Sequence, residues 1–125
     1  MAHEPIKSKA GLALVARMRS ICGRYPEVGE QVDQFGLTSF RVRDKPFVFM
    51  GEREGVTSMG FRLLHETQDF LIHGSQRFEK MAYIGQHGWT NLRPEFPIEW
   101  DEVENLIDEA YRRTAPKTLL KQLHP

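Results

Sequence analysis

The stretch Tyr83-Ile84-Gly85-Gln86-His87-Gly88-Trp89-Thr90-Asn91-Leu92-Arg93 decides how this chain folds, because a glycine-rich turn runs directly into a strand pattern. Gly85 and Gly88 bracket two polar residues, and we expect Gly88 to take a positive φ that other residues avoid. Thr90 and Leu92 then alternate with their neighbours at the period of a β-strand. We therefore predict a tight turn followed by a strand on which Thr90 and Leu92 share one face, and if that face is the core side, Trp89 and Arg93 share the other.

The opposite side of this strand would carry Trp89 and Arg93, and two interpretations of that pair stay open. An aromatic ring beside a cation can form a platform for a ligand. A large aromatic ring is also a common core anchor, and the turn would then be only a tight connection. The residues of the turn contain no reaction chemistry by themselves.

Composition limits the classes of protein that this sequence fits. A chain of 125 residues is enough for a single domain, which we place at 1–125. Lys plus Arg and Asp plus Glu both total 17, so the chain lacks the basic excess of a strong nucleic-acid binder. The single cysteine, Cys22, excludes an internal disulfide and fits a reducing cytoplasm. No apolar run approaches the roughly 20 residues of a membrane span, and the first residues lack a signal-peptide core. We expect a cytoplasmic protein that does not enter a membrane.

Strand patterns follow one another between residues 28 and 63. They occupy residues 28–35, 38–43, 47–50 and 56–63, with charged turns at 44–46 and 52–55. Residues 47–50 are apolar on both faces, which predicts a central strand. Since no helix separates these segments, we expect an antiparallel meander.

Helical spacing of apolar residues predicts four helices around these strands. They are a first helix at about 8–22, a short one at 66–73 with Phe70, Leu71 and Ile72 as its apolar part, a long one from Trp100 through Tyr111, and a last short one after Pro116. The long helix has acids in its first turn and Arg112 and Arg113 in its last, as the helix dipole favours. The whole pattern predicts an α+β fold with a single antiparallel sheet of about five strands and helices packed on it.

Basic residues of the meander form the candidate DNA-binding site. The candidates are Arg41, Arg43, Lys45, Arg53, Arg62 and Arg93. Acids at 44, 52 and 54 dilute this patch, and a solvated strand face is the alternative interpretation. Residues 95–109 hold seven acids and no base, whereas residues 110–125 hold four bases and no acid. That segregation suits a protein partner or a second copy of the chain.

The sequence predicts no catalytic, cofactor or metal site. No histidine has a second histidine four residues away, and there is no Cys-x-x-Cys pair. Ser39, Ser58 and Ser75 lie in no nucleophile motif, and no glycine-rich phosphate loop is present. We therefore expect a protein that is not an enzyme.

Several motifs together resemble one family of small bacterial proteins. The turn Tyr83-Ile84-Gly85-Gln86-His87-Gly88-Trp89 resembles the signature turn of the YjbR/MmcQ family. The segments Trp100-Asp101-Glu102-Val103 and Ala115-Pro116-Lys117 are similar to that family's closing helix and its proline-lysine end. Phe40-Arg41-Val42 with Lys45 is similar to its second strand and turn. The likeness therefore spans nearly the whole chain.

The resemblance implies a compact α+β domain, comparable to frataxin-like and secretion-chaperone-like folds. It also implies a DNA-binding module with a double-wing arrangement of hairpins, and it names no catalytic residue. Gln86 stands where the family often has a basic residue, which weakens DNA binding at that spot. Residues 79–82 likewise replace the prolines that often precede the tyrosine. We predict a non-catalytic domain that binds DNA weakly through basic hairpins. The alternative is a protein-interaction or small-ligand-binding module that self-associates and does not bind DNA.

Overall fold

The computed structural model describes residues 4–123. In chain order its elements are α1 (Lys9–Cys22), β1 (Val28–Val32), β2 (Thr38–Val42), β3 (Lys45–Arg53), β4 (Val56–Arg62), α2 (His65–Gly74), β5 (Phe78–Lys80), β6 (Trp89–Leu92), α3 (Trp100–Thr114) and α4 (Lys117–Leu120). A short 3-10 helix, Gly85–His87, lies between β5 and β6. The predicted α+β class with helices packed on a single antiparallel sheet is confirmed.

The sheet has six strands, one more than the approximate count that the sequence predicted. Their order is β1-β2-β3-β4-β6-β5, and every neighbouring pair is antiparallel. The added strand is β5, which pairs with the outer edge of β6 and aligns Phe78 with Leu92. Three residues are too few to show a period of two, so sequence patterning did not detect this strand. β3 lies between β2 and β4, as expected for the central strand.

One face of the sheet carries the core beneath the helices. Register aligns Phe40, Val48, Phe61 and Thr90 in one row of this face, and Met50, Met59, Leu92 and Phe78 in the next. All eight side chains are buried. α3 packs across β3 and β4 with Val103, Ile107, Ala110 and Tyr111 turned inward. Thr90 and Leu92 therefore face the core, which is the arrangement that puts Trp89 on the other face of the sheet.

A β-bulge in β3 places two consecutive apolar side chains in that core. The register between β2 and β3 shifts between Phe40 and Arg41, which leaves Phe47 without an opposing residue. An extra residue of this kind interrupts the alternation of side chains between the two faces. Phe47 and Val48 are both fully buried, and the Phe47 ring meets the edge of Tyr111 at 5.5 Å.

Both charged turns of the meander are shorter than the sequence suggested. The β2–β3 turn consists of Arg43 and Asp44, both at positive φ, and Pro46 already belongs to β3. The β3–β4 turn consists of Glu54 and Gly55, again both at positive φ. Residues 33–35 form a loop and not the end of the first strand, because Asp33 Oδ1 accepts the backbone N–H groups of Phe35 and Leu37.

The charge pattern of residues 52–55 predicts a turn that includes Glu52, but Glu52 is a buried strand residue whose side chain binds the start of α1. Its side chain is only 1 % exposed. The carboxylate accepts hydrogen bonds from the Ser8 hydroxyl at 2.6 Å, from the Thr57 hydroxyl at 3.2 Å, and from the backbone N–H groups of Lys7 and Ser8. The Ser8 hydroxyl in turn accepts the N–H of Gly11 and caps the helix. Glu52 therefore fixes α1 to β3.

In α2, Leu71 and Ile72 are half-buried against the core, in agreement with the predicted apolar part of this helix, but Phe70 is not and the fully buried residue is polar. Phe70 was placed in the apolar part of this helix, yet its side chain is 77 % exposed. Gln68 is buried instead, because its amide group hydrogen-bonds to backbone carbonyl groups of the turn before β6. The helix also extends through Gly74, which was predicted to cap it.

Candidate functional site

The signature turn, residues 83–89, is held by side chains from two helices. Gln68 Nε2 of α2 donates to the carbonyl oxygens of Gly85 at 2.9 Å and Trp89 at 3.1 Å. His65 Nε2 lies 2.7 Å from the Gln86 carbonyl oxygen. Since these carbonyl groups already have protein partners, the backbone of the turn serves the fold.

Arg113 of α3 joins this turn to the end of β4. Its Nη1 donates to the carbonyl oxygens of Leu63 and His87, the latter at 3.0 Å. Burial, and then the neighbouring Arg62 cation, lower the pKa of Arg113. Arg113 is thus half-buried, and its hydrogen bonds link α3 to the end of β4 and to the turn.

Gly88 has the positive φ that the sequence predicted, at +93°. A Cβ atom at this position would overlap the Leu63 carbonyl oxygen and Arg113 Nη1. The Gly88 carbonyl oxygen also accepts the N–H of Leu63 at 3.0 Å. Both the backbone conformation and the close approach of β4 therefore require glycine.

Trp89 lies on the sheet face opposite the core, which we name the outer face. Register defines this face by a row of Ser39, Phe49, Gly60 and Asn91 across four strands. Trp89 is 5 % exposed, and its ring stacks on Phe49 with centroids 4.5 Å apart. Trp89 is therefore an anchor, but it anchors a separate small cluster and not the main core.

Trp89 and Arg93 do not form the combined platform that one interpretation of the sequence offered. Arg93 follows β6 at the far end of that strand, where its Nη2 lies 3.6 Å from Glu79 Oε1. The ring of Trp89, at the first residue of β6, is already stacked on Phe49. The two side chains are separated by the length of the strand.

Four of the six predicted basic residues lie at one end of the sheet, which we name the hairpin end: Arg41, Arg43, Lys45 and Arg62. Arg41 is on the outer face of β2, and Arg62 is on the same face of β4, about 10 Å away across β3. Lys45 is exposed at the start of β3, between these two strands, where its register partner is the core-face residue Val42. The predicted patch is thus concentrated here on three adjacent strands.

The members of this end differ in their existing contacts. Arg43 Nε and Nη2 donate to the Glu27 carboxylate at 2.6 and 3.1 Å, and that pairing raises the pKa of Arg43. Arg41 donates to the Ser39 hydroxyl and to the Asp44 carbonyl oxygen. Arg62 donates weakly to the Thr114 hydroxyl at 3.3 Å. Arg43 is therefore neutralised by a carboxylate, whereas Arg41 and Arg62 have neutral partners in these hydrogen bonds.

Arg53 and Arg93 lie at the opposite end of the sheet. Arg53 ends β3, eight residues from Lys45, so the two are roughly 26 Å apart along the strand. Arg93 is close to the Glu79 carboxylate. The six predicted residues therefore form two groups and not one continuous patch.

The acidic helix faces away from the outer face. α3 packs on the core face of the sheet, and several of its acids hold neighbouring elements. Glu102 pairs with Arg77, Glu104 with Arg24, and Asp108 with Arg112. Glu109 accepts the Leu64 N–H and the Thr67 hydroxyl. These four carboxylates of α3 therefore already have partners within the chain.

Neither a metal cluster nor a membrane-spanning helix occurs in the described part of the chain. No three His, Cys, Asp or Glu side chains gather there in a group that could hold a metal ion. None of the helices between residues 4 and 123 is long and apolar enough to cross a membrane.

The architecture defines a class of small α+β domains in which a six-stranded antiparallel sheet is covered on one face by helices and leaves a cationic hairpin end. A family model described as YjbR matches residues 24–113. The chain therefore belongs to the YjbR family. No curated protein matches the chain. The matched segment ends at Arg113, the residue that connects α3 to the signature turn.

Sequence reasoning missed three side chains that shape this region. Gln68 and Arg113 bind the signature turn, and Glu52 fixes α1. Arg113 had been assigned only to the helix dipole. A polar residue in the middle of a weak apolar helix was the only sequence signal for Gln68. The partners of all three are distant in the chain, so sequence spacing could not reveal them.

Proposed function

We propose that this chain is a non-catalytic nucleic-acid-binding domain that contacts phosphates through its hairpin end. The observation that carries the proposal is the placement of Arg41, Lys45 and Arg62 on three adjacent strands at one end of the sheet, where register directs Arg41 and Arg62 to the face opposite the acidic α3. Cations in such an arrangement contact successive phosphates and do not read bases. In this proposal the β2–β3 hairpin corresponds to one wing of the double-wing arrangement.

Binding of this kind is weak and depends on salt. Only a few cations contribute, and Arg43 is already paired with Glu27. We expect a dissociation constant in the micromolar range or weaker at physiological salt, because dissolved counterions compete with each cation for its phosphate. The zero net charge supplies no long-range attraction.

Cys22 is not a candidate nucleophile, and its burial fits the location that we propose. Burial raises the pKa of this thiol to about 12, so it is protonated at neutral pH and unsuited to nucleophilic attack. A single buried thiol suits a reducing compartment, and we propose that the protein is cytoplasmic.

The test is a fluorescence-anisotropy titration of a labelled 20-base-pair duplex at low and moderate salt. We expect the double variant Arg41→Gln/Lys45→Gln to bind about tenfold more weakly and to lower the salt slope by about two, because each removed cation releases one phosphate. The matched control is Lys9→Gln/Lys121→Gln, which removes the same charge at two exposed positions outside the strands. Equal weakening in both variants would show a dependence on net charge alone and contradict a site at the hairpin end. Failure of the parent to bind at low salt would reject the proposal.

A second candidate function, self-association, is favoured by the free edge of β1. Val32, the last residue of β1, and Phe35, three residues beyond it, are each more than half exposed, and β1 has no neighbour on its outer side within the described chain. An exposed edge strand with apolar side chains is a template for pairing with another strand. The acids of α3 are less suited to this role, because several are paired within the chain.

Light scattering at high protein concentration tests self-association. We expect a dimer formed through the β1 edge to persist as salt is raised, since apolar contacts and strand pairing are not screened. Val32→Lys would convert it to a monomer, whereas Phe70→Lys, at another exposed apolar position, would not. A monomeric parent would exclude this candidate, and a dimer that salt dissociates would point to charged surfaces instead.

A further inference from the structure

Tyr83 has a strained backbone conformation, and burial of its side chain does not offset that strain. Its φ is +66°, in the left-handed region that Gly, Asn and Asp favour and bulky residues avoid. The other non-glycine residues with positive φ in the described chain are charged turn residues at 27, 43, 44 and 54. The Tyr83 side chain is 94 % exposed, so its ring gains almost nothing from burial. Strain that packing does not offset is typical of functional positions, and here it points to a contact outside the chain.

The exposed ring borders a groove on the outer face of the sheet. The groove has a volume of about 730 Å³, and its lining includes Arg53, Ser58, Lys80, Met81, Tyr83 and Asn91. Met81 lies over Gly60, where an added Cβ would come within 2.6 Å of its sulfur. The groove therefore has an apolar wall of Met81 and Tyr83, and it runs over strands β4 and β6.

The polar groups of the groove suit a ligand with negative charge and hydrogen-bonding edges. Arg53 supplies one cation, and Lys80 supplies a second from the rim of the groove, on the edge strand β5, where its register partner is the core-facing Thr90. The one carboxylate in the lining, Glu79, lies 3.6 Å from Arg93. Ser58 and Asn91 add a hydroxyl and an amide to the lining. A flat aromatic ring, nearby cations and a few neutral donors are the groups that bind unpaired nucleotides.

We propose that this groove binds one or two nucleotides of a single-stranded nucleic acid, with a base stacked on the Tyr83 ring and a phosphate at Lys80. The inference rests on the proposed function and deepens it. The strand continues across the outer face towards Arg41 and Arg62 at the hairpin end. A volume of about 730 Å³ is that of a small-ligand site, so we expect the groove to add affinity for one or two unpaired nucleotides and none for a duplex.

The experiment compares a labelled ten-nucleotide thymidine strand with a labelled duplex, using anisotropy at low salt. Tyr83→Asn is the informative variant, because asparagine tolerates the left-handed conformation and removes the ring. We expect it to weaken single-strand binding about 10-fold or more, since stacking of one base on an aromatic ring contributes that much. Duplex binding stays unchanged. Phe70→Ala, which removes another exposed ring from α2, leaves both unchanged.

The outcomes separate this inference from the proposed function. If Arg41→Gln/Lys45→Gln weakens both ligands while Tyr83→Asn resembles Phe70→Ala, the hairpin end binds phosphates and the groove proposal is wrong. That result would favour a protein partner as the ligand of the exposed Tyr83 ring. If the parent binds neither ligand, both proposals fail.

Thermal unfolding distinguishes a ligand-binding role of Tyr83 from a structural role. We expect Tyr83→Asn to keep or raise the melting temperature, because it relieves backbone strain and removes no buried contact. A clear loss of stability would assign the ring to the fold and overturn the inference.

Discussion

Gly88→Ala should lower the free energy of unfolding by about 2–5 kcal/mol in denaturant titrations. A φ of +93° is costly for any residue with a Cβ, roughly 1–2 kcal/mol. The new methyl group would also overlap the Leu63 carbonyl oxygen and Arg113, and overpacking of this kind adds about 1–3 kcal/mol. Leu63 contributes a backbone atom, which cannot swing away as a side chain can.

Two other glycines provide controls that separate strain from overlap. Gly55 has a φ of +79° and nothing within 4 Å of its added Cβ, so Gly55→Ala suffers strain alone. We expect a loss of about 1 kcal/mol there. Gly74 is helical with equally open surroundings, and Gly74→Ala should be neutral or slightly stabilising. If Gly88→Ala and Gly55→Ala cost the same, the close approach of β4 to the turn does not matter.

Glu52→Ala should lower the melting temperature strongly and release the start of α1. The substitution leaves the hydroxyl groups of Ser8 and Thr57 and two backbone N–H groups without their shared acceptor. Donors that lose a partner inside a protein are expensive, and here they all belong to one junction. Hydrogen exchange should show faster exchange in the first turns of α1 than in β3. Unchanged protection of that helix would contradict the role we assign to Glu52.

The same carboxylate should contribute to acid sensitivity. The Ser8 hydroxyl bond and the backbone donors lower the pKa of Glu52 against the opposing effect of burial. A carboxylate whose pKa is lower in the folded state stabilises the fold above the unfolded value, about 4.3, and loses that contribution as pH falls below it. Glu52→Gln should therefore flatten the decline of stability on the acid side. Glu27→Gln is the matched control, because Glu27 is exposed and paired with Arg43 at the surface, so its removal should change the profile little.

Local patterning was sufficient for most of the secondary structure. The period of two in residues 38–42 and 56–62 and the helical stripe of α3 each depend on neighbours within a few residues. The positive φ of Gly88 also followed from local turn chemistry. β5 and the exposure of Phe70 did not, because a three-residue strand and the orientation of a short helix are decided by what they pack against.

The sequence by itself determined the α+β class, the central strand, the core-facing residues of β4 and β6, and the need for glycine at position 88. Only the tertiary structure decided which distant residues meet. It placed Arg41 and Arg62 on opposite sides of β3 about 10 Å apart and moved Arg53 and Arg93 to the other end of the sheet. It also buried Glu52 against residues more than 40 positions away and left Tyr83 in water. The physical reason is that periodicity fixes the direction of a side chain relative to its own strand, whereas strand order and register fix its neighbours.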